Sequence, residues 1–158
     1  MREAIDKSAD ILKDMRIIEE KKLIQRFLSE MHKEKPLVAY GVREVIDVIT
    51  KGAADVILVS EDLDMFKIVK KCNRCSIDKG KIIKRTNMVK EIQEFLQKSC
   101  HACDAQDFIL TKTDLIEVIE DLAVESGTKI EVLSSNSEEG KMLLSFGGLG
   151  AILRYNIS

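Results

Sequence analysis

The chain has 158 residues, 45% apolar and 33% charged, with a net charge of −2. That balance suits a folded domain with a real core and excludes an intrinsically disordered chain. No apolar run approaches the ~18 residues of a membrane-spanning helix. Met1 to Asp14 is charged throughout, without the apolar stretch of a secretory signal, so a cytoplasmic protein is expected.

In chain order, residues from about Ala4 to His32 read as one long helix. Ile11, Met15 and Ile18 form an apolar stripe that Ile24, Phe27, Leu28 and Met31 continue, and Pro36 stops it. A helix this long suits a connector from a preceding domain. Leu37 to Tyr40 is a short strand. Val42 to Thr50 is a helix ended at Lys51-Gly52. Val56-Ile-Leu-Val59 is a continuous β-branched run, expected to be a strand buried on both faces. The strand–helix–strand spacing suggests a crossover in a mostly parallel or mixed sheet. An insert follows, roughly Met65 to Leu110, in which Ile82-Ile83 reads as strand and Met88 to Gln97 as helix. Asp114 to Ser126 is a helix capped by Thr113 or Asp114. Lys129 to Leu133 is a strand, Asn136 to Ser145 a short helix, and Ala151 to Tyr155 the last strand. The fold class expected is α/β: a roughly four-stranded mixed sheet between helices, an α-β-α sandwich, with an inserted mini-domain. The divisions are a long helix over 1–35 that packs on the core, the sandwich over 36–64 and 111–158, and the insert over 65–110.

Charge and cysteine concentrate in that insert. Between Lys67 and Arg85, eight Lys/Arg stand against Asp78 alone, so this segment carries +7 and the remainder −9. Such asymmetry suggests a local anionic contact, with Lys79, Lys81, Lys84 and Arg85 as candidate RNA contacts; a solvated loop is the alternative. All four cysteines lie here, as Cys72-Asn-Arg-Cys75 and Cys100-His-Ala-Cys103, 24 residues apart. Two such knuckles supply four thiolates, and Zn²⁺ takes four in a closed tetrahedron with no position left for water, so a structural zinc is expected. Lys70, Lys71, Arg74 and Lys98 are near enough in sequence to offset the thiolate charge. A redox dithiol is the competing reading. His101 and His32 read as a spectator and a surface residue.

The search for catalytic chemistry finds nothing that spacing would support: no Ser/His/Asp set, no Walker A loop, no dinucleotide fingerprint. Gly147-Gly-Leu-Gly150 precedes a strand, which favours a tight turn with close packing over a phosphate cradle. Carboxylate pairs such as Glu19-Glu20, Glu61-Asp62 and Glu138-Glu139 read as structural. On residues alone the chain is a binding module.

The strings Glu20-Lys-Lys-Leu-Ile-Gln-Arg-Phe27, Tyr40-Gly-Val-Arg-Glu-Val45 and Lys51-Gly-Ala-Ala-Asp-Val-Ile-Leu-Val-Ser-Glu-Asp-Leu63 resemble the third domain of class I peptide chain release factors of the archaeal/eukaryotic type. So do Ser137-x-Glu-Gly140 and Phe146-Gly-Gly-Leu-Gly-Ala-Ile-Leu-Arg-Tyr155. The resemblance covers nearly the whole chain, and the cysteine pairs suggest the archaeal branch. It implies a sandwich core related to Pelota and a ribosomal-protein fold, upstream domains, and no catalysis by this chain. The Gly-Gly-Gln loop that promotes peptidyl-tRNA hydrolysis in the family is missing from this sequence. It also implies docking to a translational GTPase (elongation factor 1-alpha in archaea, a release factor 3 type in eukaryotes), to an ABC-type ribosome-recycling ATPase and to the ribosome. The docking residues implied are Leu28, Val38, Phe146, Ile152, Leu153, Arg154 and Tyr155. Val38 departs from the aromatic common at its position. Strand alternation puts Ile152 and Arg154 on one face and Leu153 and Tyr155 on the other, so only part of that motif is expected to touch a partner. A Pelota-like rescue factor and a free-standing zinc-containing RNA-binding protein are the alternatives.

Overall fold

The computed structural model describes the backbone of residues 2–155 and the side chains of residues 11–155. The element order is α1 (Arg2–Met31), β1 (Val38–Tyr40), α2 (Val42–Thr50), β2 (Ala54–Ser60), β3 (Met65–Cys72), β4 (Asp78–Lys84), α3 (Met88–Gln97), β5 (Phe108–Asp114), α4 (Leu115–Ser126), β6 (Lys129–Leu133), α5 (Glu138–Ser145) and β7 (Leu149–Leu153). The chain folds into two compact units, Met1–Asp62 with Leu122–Ser158, and Leu63–Asp121.

The first unit holds a four-stranded sheet in the order β1-β7-β2-β6. β2 and β6 run parallel, while β7 is antiparallel to both β1 and β2, so the sheet is mixed as expected. β1 and β2 are joined through α2 with β7 inserted between them. Alternation along β2 sends Val56 and Leu58 to one face, where they meet Ile24 and Phe27 of α1, Leu133, Leu143 of α5 and Ile152. Ile57 and Val59 point to the other face and are fully buried. Val45, Val48 and Ile49 of α2 are buried as well, and α2 packs on β7, β1 and β2.

Two expectations about this unit are corrected. Residues 11–19 of α1 are exposed on every side, including Ile11, Met15 and Ile18, and burial begins at Glu20. The reason is length. A helix of 30 residues runs about 45 Å, whereas the 5 to 7 residues of β2, β6 and β7 span only about 17–23 Å. The last strand is Leu149–Leu153, so Arg154 and Tyr155 lie beyond it. Leu149 and Gly150 belong to the ladder, because Gly150 pairs with both Tyr40 and Leu58.

Glycine is required at two places. A Cβ on Gly150 would stand 2.9 Å from the Phe27 ring, so the missing side chain lets that phenylalanine close onto the sheet. A Cβ on Gly140 would stand 1.8 Å from the Ser134 carbonyl oxygen. That closeness arises because Ser137 caps α5, accepting from the Gly140 N–H at 3.0 Å and donating to Ser134 O at 2.9 Å. The Ser137-x-Glu-Gly140 string is thus a tightly packed helix start, with Glu138 and Glu139 at its positive end.

The second unit holds a three-stranded antiparallel sheet, β4-β3-β5. α3 covers one face through a small core of Phe66, Ile68, Ile83 and Phe95, edged by Met88, Ile92 and Leu110. β3 and β5 are additions to the sequence reading. Lys67 and Lys71 take outward positions along β3, and Lys70 interrupts its inward apolar row. β5 leads into α4, where the Asp114 carboxylate accepts from the Ile116 N–H at 2.9 Å, the cap expected there.

Gly140→Ala should destabilise the protein by about 3 kcal/mol, because its methyl meets backbone that cannot yield. Gly127→Ala meets nothing within 4 Å and should cost only the positive-φ penalty, about 1 kcal/mol. Urea unfolding checks this, and equal losses at the two sites would refute the packing account.

Candidate functional site

The four cysteines converge in the second unit. Their sulfurs all lie within 4.8 Å of one another, with Cys72 Sγ 3.5 Å from Cys103 Sγ and Cys75 Sγ 3.4 Å from Cys100 Sγ. Four ligands at the usual zinc–sulfur length of 2.3 Å would stand about 3.8 Å apart, so the cluster is near tetrahedral size before any adjustment. Among the described residues no other group of three or more His, Cys, Asp or Glu side chains is close enough to hold a metal. His101 is exposed and outside the cluster.

The two knuckles repeat one backbone design. Cys72 O accepts from the Ser76 N–H at 2.9 Å, and Cys100 O from the Asp104 N–H at 2.8 Å. Cys72 N–H donates to Ile77 O, and Cys100 N–H to Ala105 O. Ser76 and Asp104 have φ of 62° and 60°, left-handed conformations uncommon for residues other than glycine. This tight turn aims backbone N–H groups at the sulfurs. Those of Ala102 and Cys103 hold the Cys100 thiol down to about 6, and those of Cys75 and Arg74 lower Cys72. Cys75 accepts from the Ile77 N–H, yet burial and the neighbouring sulfurs outweigh it and push the thiol up to about 12. Cys103 is likewise raised by burial and by Cys72, against the Ala105 N–H. The donor set is therefore soft and compact, with Cys72 and Cys100 shifted toward the thiolate, which fits a tetrahedral metal ion.

Lys70, expected only as a counter-charge, is 4% exposed. Its Nζ donates to Phe95 O at 2.7 Å and Lys98 O at 3.0 Å, closing the C-terminal end of α3, and it stands over the Phe95 and Phe108 rings. Burial, then the charges of Lys79 and Lys98, lower its pKa. Lys79, Lys81, Lys84 and Arg85 are all exposed. Two are committed locally: Lys81 pairs with Glu91, and Arg85 donates to Asp64 at 2.8 Å while resting on Phe66. Lys79 and Lys84 form no ion pair among the described residues.

In the first unit the seven docking candidates separate. Leu28, Val38 and Phe146 are half-buried on the core cluster around Phe27. Tyr40, 50% exposed, joins them, its ring 5.6 Å from that of Phe146, which in turn meets Phe27 edge-on at 5.8 Å. Sequence reasoning missed Tyr40, although in a strand it shares the face of Val38, two residues earlier. Ile152 and Leu153 are buried, 1% and 6% exposed, so the expectation that either touches a partner directly is corrected. β7 is an interior strand covered on both faces, not on one. Arg154 and Tyr155 lie at the opposite end of β7 from Phe146. Arg154 donates to Gly127 O at 2.9 Å, and the half-exposed Tyr155 hydroxyl reaches Lys51 O at 3.4 Å.

The carboxylates are occupied structurally. Glu61 accepts from the Ser135 N–H and hydroxyl, which hold its pKa down, and so ties the end of β2 to the loop before α5. Glu20 is buried with its pKa raised by that burial, against the Ser134 N–H and Arg16, 3.5 Å away. Among the described residues no helix is long and apolar enough to cross a membrane.

Comparison with known proteins places this geometry. The family model described as eRF1 domain 3 matches residues 17–157. Peptide chain release factor subunit 1 of Methanocaldococcus jannaschii is 37% identical over 99% of this chain and 38% of its own length. That of Methanobrevibacter smithii is 40% identical over 99% of this chain and 37% of its own length. The chain therefore spans less than two-fifths of these relatives. The C-terminal domain of a peptide chain release factor from Methanosarcina mazei superposes with a TM-score of 0.84 at 26% identity, covering 98% of this chain and 93% of that one. Pelota from Archaeoglobus fulgidus (TM-score 0.57, 24% identity, 94% of this chain and 33% of that one) shares the fold. So does a model of ribosome-bound archaeal Pelota and ABCE1 (TM-score 0.52, 20% identity, 92% and 28%). With a family match over residues 17–157 and 37–40% identity to release factor subunit 1 along 99% of its length, the chain belongs to the eRF1 domain 3 family of translation termination factors.

Proposed function

We propose that this chain is the partner-docking domain of a translation termination factor. It holds a translational GTPase of the elongation factor 1-alpha type, or of the release factor 3 type, and later an ABC-type recycling ATPase, while other parts of the factor act on the ribosome in the cytoplasm. The chain itself contributes no catalysis. The observation that carries this is the Tyr40–Phe146 pair, an exposed ring on a half-buried one, supported by Leu28, Val38 and the buried Phe27 within a termination-factor domain. Aromatic side chains anchored on a packed core, flanked by aliphatic ones, have the composition of interface hot spots. Arg154 and Tyr155 offer a second contact at the far end of β7. The fold's occurrence in ribosome-bound archaeal Pelota with ABCE1 supports the ribosome and an ATPase as partners. The family match and the 37–40% identity to release factor subunit 1 along the chain favour termination over rescue.

In the second unit, Cys72, Cys75, Cys100 and Cys103 would hold a structural Zn²⁺. The hydrophobic cluster that α3 closes holds only four buried side chains, and a metal that binds only the folded knuckles adds its binding energy to folding.

Tyr40→Ala and Phe146→Ala should each weaken binding of an archaeal elongation factor 1-alpha about tenfold or more, read by calorimetry. Ile152→Ala should instead cost about 2–5 kcal/mol of stability. GTPase binding by both aromatic variants equal to the parent's would refute the docking surface.

Zinc should bind one per chain and release thiol protons at pH 7, because the ligating cysteines must give up their protons to bind the ion. The sign follows: as pH rises those protons leave more cheaply, so apparent affinity climbs. An indicator dye reads the release, and metal uptake without it would contradict this assignment. A chelator should unravel Cys72 to Cys103 and leave the four-stranded sheet folded, seen as selective loss of amide protection.

A further inference from the structure

Three lysines of the second unit are drawn together around one recess although like charges repel. Lys70 and Lys79 are direct cross-strand partners of β3 and β4, and Lys98 follows α3. Like charges directly opposite on a sheet are destabilising. Two adjoining hollows of 230 and 200 Å³ are both lined by Lys70, Lys79 and Lys98. Lys70 forms their floor: it is nine-tenths buried, and its two carbonyl contacts leave a third N–H unassigned. Among the described residues, Lys79 and Lys98 form no ion pair, unlike Lys81 and Arg85.

We propose that this recess binds a backbone phosphate of RNA, with Lys79 and Lys98 contacting the oxygens directly and Lys70 supplying fixed positive charge from beneath. A polymer is favoured over a lone ion by what surrounds the recess. Arg74, also without a carboxylate partner among the described residues, lies in the turn of the same hairpin. Phe108 and the exposed Ile77 give the first hollow an apolar wall on which a ribose or base can rest. The assignment does not depend on the GTPase-docking reading, because its residues and its assay are different.

The test uses the metal-loaded protein, a short fluorescein-labelled single-stranded RNA and inorganic phosphate. The double variant Lys79→Gln/Lys98→Gln should weaken RNA binding roughly tenfold at low salt and reduce the slope of log affinity against log salt by about 1 to 2. Glu91→Gln, which frees Lys81, should not weaken it. Unchanged affinity and slope in the double variant overturn the proposal, and so does a double variant that loses metal but keeps RNA, which would make the lysines counter-charges for the thiolates only. If the double variant fails to fold, the parent decides. RNA and phosphate should each shift the amides of Lys79, Gly80, Lys98 and Ser99, with RNA saturating at much lower concentration. Shifts elsewhere, or RNA no tighter than phosphate, would overturn it.

Discussion

Strand β7 is paired on both edges and covered on both faces, and the arrangement of the first unit depends on that. Its five residues are all buried. Gly150 gives up its side chain so that Phe27 can close against the ladder, and Phe27 then supports Phe146, which supports Tyr40. An aromatic pair at a surface is useful for recognition only if its position is held, since ordering a mobile side chain on binding costs entropy. Here the order is already present, built outward from a glycine contact at the centre of the sheet.

The same strand explains why a contiguous string of residues does not make a contiguous surface. Phe146 stands before β7 and Tyr155 after it, so a strand's length separates them, and Ile152 and Leu153 between them face inward on opposite sides. The buried pair sets the position of the two ends, half-buried Phe146 and half-exposed Tyr155, on one unit.

The second unit solves a different problem. Its hydrophobic core is small, and its remaining organisation is electrostatic. Two congruent turns point backbone N–H groups at four sulfurs, and a buried lysine closes α3 beside them. Lys70 is held by two aromatic rings and two carbonyls rather than by a carboxylate. The cationic surface around it therefore stays available, whereas Glu91 and Asp64 quiet the other end of the hairpin.

Much of this was written in local pattern. Helix periodicity, the β-branched run of β2, a cap at Thr113 or Asp114, the tight turn at Gly147-Gly148 and the two Cys-x-x-Cys knuckles are near-neighbour signals, and a linear sequence carries those directly. The strands β3 and β5 were not legible, because lysine at an inward position looks like a surface residue until the carbonyls and rings that receive it are in place. The exposure of residues 11–19 was equally hidden: a periodic apolar stripe states which way a helix faces, and only the reach of the sheet states where it stops being covered. Which members of the Phe146–Tyr155 string are surface, and that Tyr40 joins them, depended on strand order. That order is a long-range property, decided when β7 inserts between β1 and β2 rather than lying at an edge.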